Sequence, residues 1–66
     1  MRHIIGFNIN APDFEEIETQ ADNRCKLYFG KTPFEILEIR ARPAAQAIGG
    51  EILLWEADIE ASAVYA

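Results

Sequence analysis

From Ile52 to Tyr65 the chain alternates without interruption. Leu53, Trp55, Ala57, Ile59, Ala61, Ala63 and Tyr65 fall on one side; Ile52, Leu54, Glu56, Asp58, Glu60, Ser62 and Val64 fall on the other. A period of two is the mark of a β-strand, because successive side chains point to opposite faces. At about 3.3 Å per residue, Glu51 to Tyr65 extends on the order of 45–50 Å, against the about 5–6 residues of an ordinary strand. A strand this long needs a central place, a bulge or a second chain to satisfy its backbone. In 66 residues there is room for one domain, residues 1–66, built around it.

The rest of the chain supplies its partners. Arg2 to Asn10 alternates as well, with His3, Ile5, Phe7 and Ile9 opposite Arg2, Ile4, Gly6, Asn8 and Asn10. Ala11-Pro12-Asp13 ends that strand. Proline fits the first turn of a helix, where its missing N–H costs nothing. Asp13, Glu15 and Glu16 suit the positive end of the helix dipole, and Asp13 to Glu16 has capping-box spacing. Phe14, Ile17, Ala21, Cys25 and Tyr28 then recur at intervals of three and four, which predicts an amphipathic helix to about Phe29. Gly30 suits its end. A second strand is expected from Phe34 to about Arg42, with Leu37, Ile39 and Ala41 on one face. Phe34, Ile36, Glu38, Arg40 and Arg42 fall on the other. Pro43 should stop it, and Gly49-Gly50 should release the chain into the long strand.

Element order β-α-β-β predicts an α+β fold: one helix packed on a three-stranded antiparallel-type sheet. The longest strand belongs between the other two, giving order 1-3-2, with a right-handed crossover between the first two strands. The helix is expected to cover Ile5, Phe7, Ile9, Leu37, Ile39, Leu53, Trp55 and Ile59. The opposite face carries Glu38, Arg40, Arg42, Glu56, Asp58 and Glu60, but also Ile4, Phe34, Ile36, Ile52, Leu54 and Val64. One helix cannot cover both faces, and an exposed apolar patch marks an interaction surface. Those six apolar residues are the expected interface.

Size points the same way. Below roughly 70–80 residues a single core rarely supplies more than about 3–5 kcal/mol, so small folds lean on disulfides, metals or oligomers. Cys25 is the only cysteine and His3 the only histidine, which excludes an intrachain disulfide and a Cys/His zinc site. A homo-oligomer is expected, with Ser62 to Tyr65 overhanging as an unpaired edge that invites another chain. The partner protein is unnamed by the sequence. The net charge of −5 argues against nucleic acid, which requires clustered Lys and Arg. No apolar run reaches the about 18 residues of a membrane span. An N-terminus without an apolar leader and an unpaired thiol are the grounds for expecting a cytoplasmic protein.

The sequence of elements, with Thr32-Pro33-Phe34-Glu35-Ile36-Leu37-Glu38-Ile39 leading the second strand, resembles the small β-α-β-β proteins of phage genomes. It is also similar in order, size and long last strand to the dodecins. That resemblance implies an oligomeric shell that stores flavin, held against a tryptophan on the second strand. Here that strand reads Ile36-Leu37-Glu38, and the only indole is Trp55 on the third. Trp55 is therefore the cofactor-binding candidate if a flavin is bound; the residues themselves name no cofactor.

No set of residues assembles a catalytic constellation. Glu56, Asp58 and Glu60 are spaced along one strand face without the glycine-punctuated loop that wraps calcium, and read as a solvated row beside Arg40 and Arg42. Gly30-Lys31-Thr32 ends a helix, whereas a phosphate loop opens one. Cys25 on the helix stripe reads as packing, with no base placed to activate it. The expected function is that of a non-catalytic interaction protein, phage-encoded if the resemblance holds, binding another protein through a self-assembled surface. The alternative is an oligomeric flavin or small-ligand store.

Overall fold

A computed structural model describes residues 1–65. Its elements are β1 (Arg2–Ala11), α1 (Phe14–Phe29), β2 (Phe34–Gln46) and β3 (Ile52–Val64). They form one three-stranded sheet of order β1-β3-β2, with both outer strands antiparallel to β3 and α1 on one face. The predicted architecture is the observed one.

Local chemistry sets the helix bounds. Asp13 caps α1 by accepting a hydrogen bond from the Glu16 amide at 2.8 Å, which satisfies one of the orphan donors of the first turn. At the other end the Gly30 amide donates to the Lys26 carbonyl with φ at 64°, in the region where a side chain would clash. Ile17, Ala21, Cys25 and Phe29, four residues apart, are the buried face. The expected stripe is rotated at its ends, and Phe14 and Tyr28 are exposed instead.

Beneath the helix the central strand contributes Ala57, Ile59, Ala61 and Ala63, and β1 contributes Ile9 and Ala11. The small side chains of Ala57, Ala61 and Ala63 on β3 share the buried clusters with Ala21 and Cys25 of the helix. Ile17 and Ile59 are the largest fully buried aliphatic side chains, each stabilising by about 1.5–3 kcal/mol.

Strand β1 pairs with β3 in an unbroken register from Arg2↔Val64 to Ala11↔Trp55. The expected overhang is therefore absent. Ser62 sits between Ile4 and Glu35, Ala63 between His3 and Phe34, and the Tyr65 amide donates to the Met1 carbonyl at 2.8 Å.

Strand β2 departs from regularity three times, between Ile36 and Glu38, between Pro43 and Ala45, and between Ala45 and Gln46. Leu37 is the extra residue of the first bulge. Before it Phe34 and Ile36 pair with Ala63 and Ala61; after it Ile39 pairs with Ile59. All three thus lie on the helix face, and Leu37 is pushed outward. This corrects the expected face of Phe34 and Ile36, which pack against the core, and of Leu37, which does not. Pro43 does not stop the strand but pairs with Trp55. It is tolerated because β2 is an edge strand beside a bulge, where a missing N–H need not break a ladder.

Past Ala11 and Trp55 only β2 and β3 continue, as a two-stranded arm closed by a turn in which Gly50 takes φ 89°. Leu53 lies in this arm and is exposed, not under the helix as expected. The Cα extents are 51 × 15 × 12 Å. A 16-residue helix spans about 24 Å, so α1 covers about half of the length.

Candidate functional site

Two of the uncovered surfaces bear on function: the face of the sheet opposite α1, and the outer edge of β1. Each collects residues from separate parts of the chain.

Across the open face the register sets side chains in rows. Arg2 lies beside Val64; Ile4, Ser62 and Glu35 form the next row; then Gly6, Glu60 and Glu38; then Asn8, Asp58 and Arg40; then Asn10, Glu56 and Arg42. Leu54 follows beside Ala45. The face is apolar at one end, where Ile4 and Val64 are exposed, and again at Leu54, which is half-buried. Past the irregularity at Leu53, Ile52 pairs with Gln46 and falls out of phase with Leu54. Of the six expected interface residues the structure thus gathers Ile4, Leu54 and Val64 on this face. Phe34 and Ile36 go to the core, and Ile52 to the arm.

The middle is charged. Arg42 donates to Asp58 at 3.0 Å and pairs with Glu56, while the Asn8 amide donates to Asp58 at 3.0 Å. These bonds hold the Asp58 carboxyl below the ordinary carboxylate range, Asn8 contributing most and Arg42 next. Arg40 lies 3.9 Å from Glu38. Along β2 the charge changes sign: Glu35 and Glu38 come first, Arg40 and Arg42 follow. The acidic row Glu56, Asp58 and Glu60 is solvated, and no group of three His, Cys, Asp or Glu side chains suited to a metal occurs among the described residues.

The second surface is a groove of about 410 Å³ between β1 and the helix flank. The strand from His3 to Phe7 forms one wall, and Arg24 and Tyr28 form the other. The His3 Nε2 and the Tyr28 hydroxyl share a hydrogen bond of 2.9 Å, and the two rings stack with centroids 5.8 Å apart. The Arg24 guanidinium lies over the Phe7 ring, 5.4 Å from its centroid, a cation–π geometry that keeps the charge at the groove. The sequence treats His3 as a surface strand residue, Arg24 as a helix-end charge and Tyr28 as core. Arg24 and Tyr28 stand four apart, one helical turn, which was the only local hint that they share a flank.

The remaining candidates separate. Cys25 is fully buried, and its thiol is pushed up by burial first and by Asp22 second. Trp55 is half-buried and packs against the Ile9–Ile59 core cluster on the helix side. Lys31 follows the helix cap and opens no helix. No described helix is long and apolar enough to cross a membrane. Comparison with protein-family models, curated proteins and solved structures finds no match for this chain.

Proposed function

We propose that this chain is a non-catalytic interaction protein that works as a self-assembled unit, two copies meeting through the open faces of their sheets. The observation that carries it is the layout of that face. Ile4 and Val64 lie at one end, Leu54 at the other, and β2 runs from acidic to basic between them. Turn a second copy about a twofold axis across the strands, and the apolar ends meet. Glu38 and Glu35 of each copy then approach Arg40 and Arg42 of the other. A twofold contact must be complementary to itself, and opposite charges brought together fix its register.

The same layout accounts for a chain of this size leaving Ile4 and Val64 in water. What supports a role without chemistry is the state of the candidate groups: the one thiol is buried, and the one histidine is engaged with Tyr28. Flavin storage has less behind it, because Trp55 lies against the core. Protein purified with a flavin absorbance band would reverse that ranking.

Light scattering at micromolar concentration tests the proposal. Wild-type protein should give at least twice the chain mass. Arg40→Glu should reduce it to the monomer mass, and Glu38→Arg combined with Arg40→Glu should restore the assembly. Wild-type protein that stays monomeric and folded overturns the reading, as does a swapped pair that fails to reassemble while keeping its fold.

A further inference from the structure

We propose that the outer edge of β1 is a docking site for an extended acidic segment of a partner protein, which adds to the sheet as a fourth strand. This deepens the interaction role argued above by naming the partner's chemistry, and it uses a different surface. The two edges of the sheet are not equivalent. Along β2, bulges at Leu37 and beyond Pro43, the proline itself and the charges of Arg40 and Arg42 are the devices that keep a stray strand from pairing. Strand β1 has neither proline nor bulge, and its one charged residue, Arg2, stands at its very start: its register is unbroken for ten residues. Its outer backbone groups lie at the end of the order β1-β3-β2 and have no strand beside them.

Beside that edge runs the groove already described, and its length and charge specify the guest. Five residues of strand, His3 to Phe7, form its wall, which matches about 17 Å of extended peptide. Gly6 sits in the middle of the run and brings no side chain to block close approach. A paired strand would send alternate side chains toward the helix flank. There they meet the Arg24 guanidinium, which makes no ion pair among the described residues, together with His3 and the Tyr28 hydroxyl. In a chain of net charge −5 this is a local exception, a guanidinium beside an imidazole and a phenol, with no carboxylate lining the same groove. A guest carboxylate placed at Arg24 would answer it, giving charge-assisted hydrogen bonds to the guanidinium.

The test uses isotope-labelled full-length protein and two synthetic eight-residue peptides, one alternating Glu with Val and one alternating Lys with Val. Titration with the Glu peptide should shift the amides of His3 to Phe7 and the Arg24 side chain, with peptide-to-β1 nuclear Overhauser contacts. The Lys peptide should bind at least about tenfold more weakly, and Arg24→Glu should reverse that order, as expected of a charge contact that sets selectivity. Arg24 is on the helix flank, so light scattering of Arg24→Glu should give the wild-type mass, and the Arg40→Glu variant should still bind the Glu peptide. Equal binding of both peptides, or shifts that avoid β1, overturns the proposal. So do concentration-dependent shifts at His3 to Phe7 without peptide, which would mean that a second copy occupies the edge.

Discussion

Asp58 is where the open face is most tightly tied, accepting from Asn8 on one side and Arg42 on the other. Its carboxyl is held below the ordinary range, so its folded-state pKa lies under the value of about 3.9 in the unfolded chain. Such a group stabilises the fold fully above that value and ceases to do so as pH falls through the depressed one. Acid titration of thermal stability should therefore show a decline below about pH 4 that is smaller in Asp58→Asn. Asn8→Ala should move the Asp58 carboxyl resonance toward an ordinary titration midpoint; an unmoved midpoint would mean that Arg42 alone holds it. The core gives a contrast of another kind. Ile17 and Ile59 are fully buried, and Ile59→Ala should cost about 2–5 kcal/mol. Leu53 is 54% exposed, and Leu53→Ala should change stability by about 0.5 kcal/mol or less, as read by chemical denaturation under monomeric conditions. From the alternation alone the two positions look equivalent. The difference arises because the helix ends before it reaches Leu53, which periodicity does not report.

At the scale of elements, the sequence was legible wherever one residue type has one physical use. Proline and three carboxylates at a helix start, glycine at its end and alternation in β1 and β3 each led to the observed element. The length of β3 placed it at the centre, and the order followed. In strand β2 the alternation misleads at Leu37, and the proline misleads at the end, since Pro43 does not stop the strand. Ile36-Leu37-Glu38-Ile39 has apolar side chains in both phases, so a strict period of two runs straight through it and assigns Phe34 and Ile36 to the wrong face. The core demands both Ile36 and Ile39, three residues apart, and only a bulge at Leu37 delivers both. A testable asymmetry follows. Deleting Leu37 should leave a regular ladder with every other side chain on its present face, and a folded protein with a melting temperature within a few degrees of wild type. Deleting Ile39 instead should bring Arg40 under the helix, and a slip of one residue transfers the rest of the strand to the other face. That variant should lose the cooperative melt. Equal tolerance of both deletions would mean that β2 contributes little to the core. The candidate groove was illegible for a related reason: His3 and Tyr28 are 25 positions apart, and no pattern in either element announces that the crossover brings them together.

As a whole molecule the protein is far from spherical. Its Cα radius of gyration is 13.7 Å, where a compact chain of this length would have about 10.8 Å. The excess comes from the arm of β2 and β3 beyond Pro43 and Trp55, which has neither β1 nor the helix against it. An element that buries little within its own chain adds ordering entropy without a matching gain in burial. Its apolar residues then have a use only if another molecule covers them. In the twofold assembly proposed here Leu54 meets the Ile4 and Val64 end of the partner copy, so the arm belongs to the interface and not to the fold. Replacing residues 44–54 by an Asn-Gly turn, a sequence suited to a tight hairpin, separates these roles. The shortened chain should keep its helix and its cooperative melt, because Ile9, Ile17, Ala21, Ala57 and Ile59 all lie outside the arm. Small-angle scattering should then give a radius near that of a compact chain, and light scattering the mass of a single copy. A shortened chain that no longer folds would make the arm part of the core. One that folds and still assembles would take the arm out of the interface and leave the charges of β2 to hold the two copies together.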